Sequence, residues 1–382
     1  MGETAAGLGI TDSEIAERVA RVQGALSDRD LRAAICFGAH RDYYPADLRY
    51  LARWSCTDEE TSYLFVPADG ETTLITDAEW DFERAQTEAF AGSVVFDPRP
   101  ADTLAGLVRQ HAAGERVGIS GIDGFPVSVY LALTVACGDV EFDDITRVVT
   151  ALRLVKSPAE VALMREAARI SDIGMRAGIE RIREGTPEAV AAAAAEHAIR
   201  ATGAELSFVT VMGAGPRTAQ ATFFPTARAM GAGELAVLDC GARVDGYHGD
   251  MCRTVTVGPP LPDQRRMLEA VEAAVGAAIA AARPGVPVGD VTAAAERVVT
   301  EAGFGDHWWG YYMPHGAGTG QHEPPNGGAD ADMRLEAGMV LCVEPGVAVP
   351  GVGAVILEQM IHVTPTGADV LNNLPLALWD NA

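Results

Sequence analysis

LAVLDCGARVDGYHGDMCRTVT, residues 235–256, is the stretch on which the fold turns. Two runs in it have strand character. Leu235 and Val237 mark the first, Val255 and Val257 the second, and Val244-Asp245-Gly246 between them is a turn signal. Each run carries a carboxylate near its middle, Asp239 in one and Asp250 in the other. A carboxylate inside an apolar strand is costly unless something pairs with it. The spacing of eleven residues brings both side chains to one region of a hairpin, where a metal ion is the obvious partner. Two solvent-facing aspartates on a surface hairpin is the other reading, and this stretch alone leaves both open.

Residues further along decide between them. His315 opens HGAGTGQHEPP, Glu344 sits in VLCVEPG and Glu358 in GAVILEQ. Two Asp, one His and two Glu form an oxygen- and nitrogen-rich set that needs no thiolate. Such a set suits manganese, iron, cobalt or zinc, and its carboxylates suffice to hold two divalent ions.

With these residues quoted, the sequence resembles the pita-bread metallopeptidases, a family that includes aminopeptidase P, prolidase and methionine aminopeptidase. Their motifs are matched by Asp239-Cys240-Gly241, by Tyr247 through Thr254, by His315-Gly316-Ala317-Gly318, by His322-Glu323-Pro324-Pro325, by Glu344-Pro345-Gly346 and by Glu358. The separations of seven residues from His315 to His322 and fourteen from Glu344 to Glu358 agree with the prolidase branch. The resemblance implies an α/β N-terminal domain of the creatinase type and an α+β pita-bread C-terminal domain with pseudo-twofold symmetry. It also implies two divalent ions, manganese first and iron, cobalt or zinc as alternatives. Asp239, Asp250, His315, Glu344 and Glu358 would hold them, with Asp250 and Glu358 bridging, Asp239 on one ion and His315 with Glu344 on the other. Ions so bridged acidify a shared water, making hydroxide available at neutral pH. Glu344 would carry the proton from attacking water to leaving nitrogen, and His322 would face the substrate and help hold its oxyanion. Arg253 and Tyr247 would brace the site, Arg253 by orienting a ligand carboxylate.

Composition agrees with an enzyme of this size. The chain has 382 residues, 48% of them hydrophobic, enough for two or three domains with sizeable cores. A net charge of −24 argues against nucleic acid or an anionic membrane as partner. No apolar run approaches a membrane span. The six cysteines are scattered without a C-x-x-C pair, which argues against a disulfide framework and for a cytoplasmic location. Cys240, Cys252 and Cys342 neighbour the proposed ligands in sequence and read as small buried core residues. A homodimer is what the family resemblance implies.

Taken in order, residues 1–150 alternate helical and strand patterns. An amphipathic helix with Ile15, Val19, Val22 and Leu26 on one face is capped by Asp12 or Ser13, and short apolar runs such as AAICFG and SYLFVPA follow. Arg41, Asp42, Tyr43 and Tyr44 sit in a loop that could reach a site. The second domain, 151–382, opens with a helix whose Ser157, Pro158 and Glu160 form a capping box. Within it Gly185, Pro187, Glu196 and Gly203 recur as Gly285, Pro287, Glu296 and Gly303, an internal repeat at a shift of 100 residues. Two copies are too few for a solenoid, so helices outside and strands inside a duplicated domain is the expectation.

Three positions depart from the family pattern. Thr222, between Ala221 and Phe223, stands where prolidases carry a histidine; Ile356 replaces an arginine; Gln359 replaces an acidic residue. Thr222, Phe223, Tyr247, Trp309 and Ile356 are the candidate substrate pocket, with Trp308, Tyr311 and Tyr312 in the same aromatic run as Trp309. The leading expectation is a dinuclear-metal hydrolase cutting a dipeptide or short peptide. A small-molecule enzyme on the same fold, a C–N hydrolase of the creatinase or ectoine-hydrolase kind or a lyase, is the alternative that Thr222 and Ile356 suggest.

Overall fold

The computed structural model describes residues 9–39, 46–57, 60–220, 223–310 and 313–377. Internal contacts divide them into one unit ending at Arg153 and another beginning at Leu154.

The first unit is built on a six-stranded sheet. Its strands run in the order Ser93–Phe96, Thr73–Thr76, Thr61–Pro67, Ala33–Ala39, Arg116–Ser120 and Glu141–Asp144. Ala33–Ala39 pairs antiparallel with Thr61–Pro67 and parallel with Arg116–Ser120. It is apolar throughout because both faces are covered. Ala33, Ile35 and Phe37 pack on one side with Leu104 and Val108, while Ala34 and Cys36 pack on the other with Val22 and Leu26. The first helix, Asp12–Ser27, is capped by Thr11, whose Oγ1 accepts from the Glu14 amide at 3.2 Å, one residue before the expected cap. Among the described residues, no helix of either unit is long and apolar enough to cross a membrane.

The second unit repeats one design. Helix Pro158–Ile179 starts on the Ser157–Glu160 capping box and packs on Glu188–Ala201; Pro262–Ala281 packs in the same way on Val288–Glu301. Each pair is separated by a glycine at left-handed φ, Gly185 at 78° and Gly285 at 84°. The chain then makes the same backbone bonds twice: the Gly185 amide donates to Met230 O and the Gly285 amide to Leu335 O, both at 2.8 Å. Behind the first helix pair, Ala236, Leu238 and Val255 join a buried cluster; behind the second, Leu341, Val343, Ile361 and Val363 join another. Each Leu, Ile or Val fully buried in this way contributes about 1.5–3 kcal/mol. The duplication expected at a shift of 100 residues is therefore a real pseudo-twofold arrangement, with helices outside and strands inside.

Candidate metal centre

Asp239 ends the strand Leu235–Asp239, and Cys252–Thr256 runs antiparallel beside it with Cys252 opposite Asp239. Asp250 precedes that second strand by two residues. The two carboxylates thus sit at strand ends, not in the middle of a continuous hairpin as their sequence suggests. The reason is a pinch in the backbone. The tip, Val244 to Tyr247, turns through Asp245 at φ 46° and Gly246 at 80°, the geometry of a tight two-residue hairpin. Between tip and strands the chain narrows at Gly241 and Gly249. A Cβ on Gly241 would lie 2.0 Å from Gly249 O, and one on Gly249 would lie 2.8 Å from the Ala167 carbonyl. The bends this permits carry both carboxylates inward together.

The second half supplies the other three residues from one sheet. His315 lies on the short strand His315–Gly316, Glu344 follows Val340–Val343, and Glu358 precedes Gln359–Thr364. His315 Nε2 stands 3.4 Å from Glu344 Oε1 and 4.0 Å from Asp250 Oδ2. One donor atom each of Asp250, His315, Cys342 and Glu358 lies within 4.8 Å of the others, and all four residues are buried. Asp239 Oδ1 and Glu358 Oε1 are buried with no hydrogen-bond partner among the described residues.

Electrostatics points the same way. Burial pushes the Asp250 carboxyl up to about 7. Burial and the charge of Asp250 push Glu344 up to about 8. Asp239 and Glu358 rise well above the usual carboxylate range, through burial first and then through repulsion from their acidic neighbours. His315 moves in the opposite sense, to about 3, because burial and His322 beside it disfavour its cationic form. Four crowded carboxyls and a neutral imidazole with unmatched lone pairs are an unfavourable arrangement by themselves. A divalent cation relieves every part of it, so these residues fit the expected group.

The Asp-x-x-Arg-Thr motif is explained by what holds Glu358. Arg253 is fully buried, and its guanidinium donates to Glu358 O, to Cys252 O at 2.9 Å, to Leu374 O at 2.8 Å and to Pro375 O at 3.1 Å. Burial lowers its pKa to about 10. Arg253 braces the site, but through the main chain of Glu358 and not by orienting a ligand carboxylate. Gln359, where an acid was expected, meets it with a neutral oxygen at 3.4 Å. Thr254 Oγ1 exchanges two 2.9 Å bonds with the Ile356 amide and carbonyl, and the Glu358 amide donates to Cys252 O at 3.1 Å. A strand of the first half therefore carries a donor of the second.

His322 stacks on His315 with ring centroids 3.9 Å apart and is exposed to solvent. Glu323 beside it is buried and paired with the buried Lys156 at 3.4 Å. Glu344 keeps 12% of its side chain exposed while Glu358 is 1% exposed, so Glu344 is the less enclosed of the two. Of the candidate pocket, Phe223 and Ile356 share a buried apolar cluster on which Trp309 packs. Tyr247 is not among them: its hydroxyl donates to Glu160 Oε1 at 3.0 Å, inside the capping box, where it is 2% exposed. Thr222 lies outside the described residues, as do Arg41, Asp42, Tyr43, Tyr44, Tyr311 and Tyr312. Two neighbours of the donors were not singled out from the sequence. Met360 Sδ accepts from the Asp250 amide at 3.1 Å, and Gln321 hydrogen-bonds the Asp250 carboxylate. Cys342, read as core filling, stands among the donors; its place two residues before Glu344 in a strand was the signal for that.

Comparison with known proteins gives the same picture. The model of metallopeptidase family M24 matches residues 162–365, and that of the creatinase/prolidase N-terminal domain matches residues 18–155. The chain is 30% identical over 305 residues to an Xaa-Pro dipeptidase of Pyrococcus furiosus, spanning 80% of this chain and 85% of that one. The structure superposes on a prolidase from Thermococcus sibiricus with a TM-score of 0.86 at 26% identity, covering 97% of this chain and all of that one. An Xaa-Pro dipeptidase from Bacillus anthracis gives 0.84 at 27% identity, over 96% and 99% of the two chains. These similarities favour the peptidase expectation over the small-molecule alternative.

Proposed function

The chain belongs to metallopeptidase family M24, and from that premise we propose that it is a metal-dependent dipeptidase that cleaves Xaa-Pro dipeptides or short peptides. The observation that carries this reading is the convergence of Asp239, Asp250, His315, Glu344 and Glu358, with Asp239 Oδ1 and Glu358 Oε1 buried and unpartnered among the described residues. These five would hold the divalent ions, two of them by the family resemblance. Bound ions supply Lewis acidity, which lowers the pKa of a water and polarises a carbonyl. Manganese suits the oxygen-rich set and is the first ion to try; iron, cobalt and zinc are also compatible.

The chain's own residues do the rest. Glu344, less enclosed than Glu358, accepts the proton of the attacking water on a carboxylate oxygen and returns it to the leaving nitrogen. His322, exposed beside His315, donates to the scissile carbonyl oxygen as negative charge develops there. His315 stays neutral, as a nitrogen donor must. Phe223, Trp309 and Ile356 form an apolar wall suited to an uncharged ring or side chain. A cytoplasmic location with neither nucleic acid nor membrane as partner accords with the −24 charge and six unpaired cysteines, and a homodimer is what the family resemblance implies.

The test is elemental analysis of the purified chain paired with Xaa-Pro dipeptide turnover before and after chelation. About two ions per chain and turnover that stops on chelation and returns with manganese is the expected result. Metal without any peptide turnover would refute the substrate, and absence of metal under all loading conditions would refute the centre.

A further inference from the structure

One face of the sheet formed by Glu323–Asn326, His315–Gly316, Val340–Val343, Gln359–Thr364 and Gly367–Val370 carries a row of side chains only partly accounted for. Strand pairing sets His315 opposite Cys342 and Cys342 opposite Met360. With two-residue alternation, Glu344 stands on the side of Cys342 and Glu358 on that of Met360. The direction of the row is fixed by its back: Leu341, Val343, Ile361 and Val363 are committed to the hydrophobic core, and a one-residue slip would expose them all. The Cys342 Sγ is thereby brought within 4.8 Å of donor atoms of Asp250, His315 and Glu358. In the same cluster Glu358 Oε1 is buried with no hydrogen-bond partner among the described residues.

Core filling accounts well for two other thiols. Cys240 belongs to an apolar cluster with Leu238 and Met251, and Cys252 belongs to the cluster of Phe223 and Ile356, its Sγ 3.8 Å from Ile356 O. Cys342 is different. It is absent from the cluster that takes its neighbours Leu341 and Val343; its thiol hydrogen-bonds the Glu358 carboxylate and faces Asp250 and His315 as well.

We propose that Cys342 is a sulfur donor of the metal centre, its thiolate joining Asp250, His315 and Glu358 around one divalent ion. This inference rests on the metal-centre reading above and adds a preference to it. A soft thiolate favours zinc, cobalt or cadmium over manganese, which the carboxylates alone would accept readily. On binding, the S–H proton leaves for solvent and a sulfur lone pair goes to the ion; no electron changes hands.

Cobalt(II) added to the metal-free full-length chain tests it by absorption. The expected spectrum has visible ligand-field bands, from any cobalt in the centre, and a near-ultraviolet sulfur-to-cobalt charge-transfer band. In Cys342→Ser the charge-transfer band is lost while the visible bands remain. Affinity for cadmium relative to manganese falls by about tenfold or more, the size of loss typical when a group supporting a metal site is removed. Cys342→Thr repeats the experiment if the serine variant does not fold, and Cys252→Ser keeps the band. Visible bands without charge transfer in the unaltered chain, or charge transfer that survives Cys342→Ser, would overturn the sulfur donor and leave the metal centre standing. No cobalt retained and no bands of either kind would overturn both.

Discussion

Stripping the protein of divalent ions makes its stability fall as the pH rises through neutrality. The carboxyls of Asp250 and Glu344 are pushed from 3.8 and 4.5 to about 7 and about 8, and those of Asp239 and Glu358 are also raised well above the usual carboxylate range. Between its unfolded and folded pKa, each such group keeps a proton in the native state that the unfolded chain has released. The native state then binds more protons, so each group costs about 1.4 kcal/mol of stability per pH unit of rise. Two buried histidines oppose this at lower pH. His315 and His248, both lowered from 6.5 to about 3, add stability as the pH rises, but only up to about 6.5. Above that only the carboxyls act. Near pH 7 Glu344 is still protonated and Asp250 about half so, which sets a slope of about 2 kcal/mol per unit, and Asp239 and Glu358 act in the same direction. For a unit of this size each kcal/mol shifts Tm by roughly 2–4 °C. The metal-free chain therefore loses on the order of 5 °C per pH unit between about pH 6.5 and 8. The manganese-loaded chain, its carboxylates already ionised, changes little. Thermal unfolding of both forms across that range is the assay. A gap between the two curves that stays constant or narrows with rising pH would refute the argument that uncompensated carboxyls crowd this site.

Other expectations concern single residues. Glu344→Gln lowers kcat on an Xaa-Pro dipeptide by about 10²–10⁴-fold, the usual worth of a placed general base, and a variant with near-normal turnover would remove Glu344 from proton transfer. Arg253→Met leaves the carbonyls of Cys252, Glu358, Leu374 and Pro375 without their buried donor. At about 1–3 kcal/mol per orphaned group, chemical denaturation should show a loss of several kcal/mol, accompanied by weaker metal binding. Gly249→Ala forces a Cβ to within 2.8 Å of the Ala167 carbonyl. It should cost at least about 1–3 kcal/mol and displace Asp250, read as a lower Tm and a shifted cobalt spectrum.

The sequence carried most of the donor set because chemistry is visible one residue at a time. Asp239, Asp250, His315, Glu344 and Glu358 are unusual in their local runs, and the glycine-bounded repeat announced the duplicated fold. What it concealed were relations across strands. Cys342 looks like any small apolar residue until its partners His315 and Met360 are known. Tyr247, beside a ligand motif, reads as a pocket residue until its hydroxyl is found on Glu160, a residue 87 positions away. Arg253 was legible as a brace, yet its means, carbonyls gathered from three segments, depends on where the chain returns near Leu374. The hairpin was expected from its apolar runs and the Val244-Asp245-Gly246 turn signal, and the close approach of Gly241 to Gly249 pinched it.

The duplication of the second unit divides ownership of its chemistry. Asp239 and Asp250 come before the connection at residues 257–261, and His315, Glu344 and Glu358 come after it. Neither copy has a full complement, so the centre is in effect a subunit interface folded into one polypeptide. Bound ions act there as a clasp, and their affinity includes the energy of joining two lobes. A chain severed in that connection should reassemble from its fragments more tightly with metal than without, and a message truncated before His315 yields a lobe with no catalytic capacity.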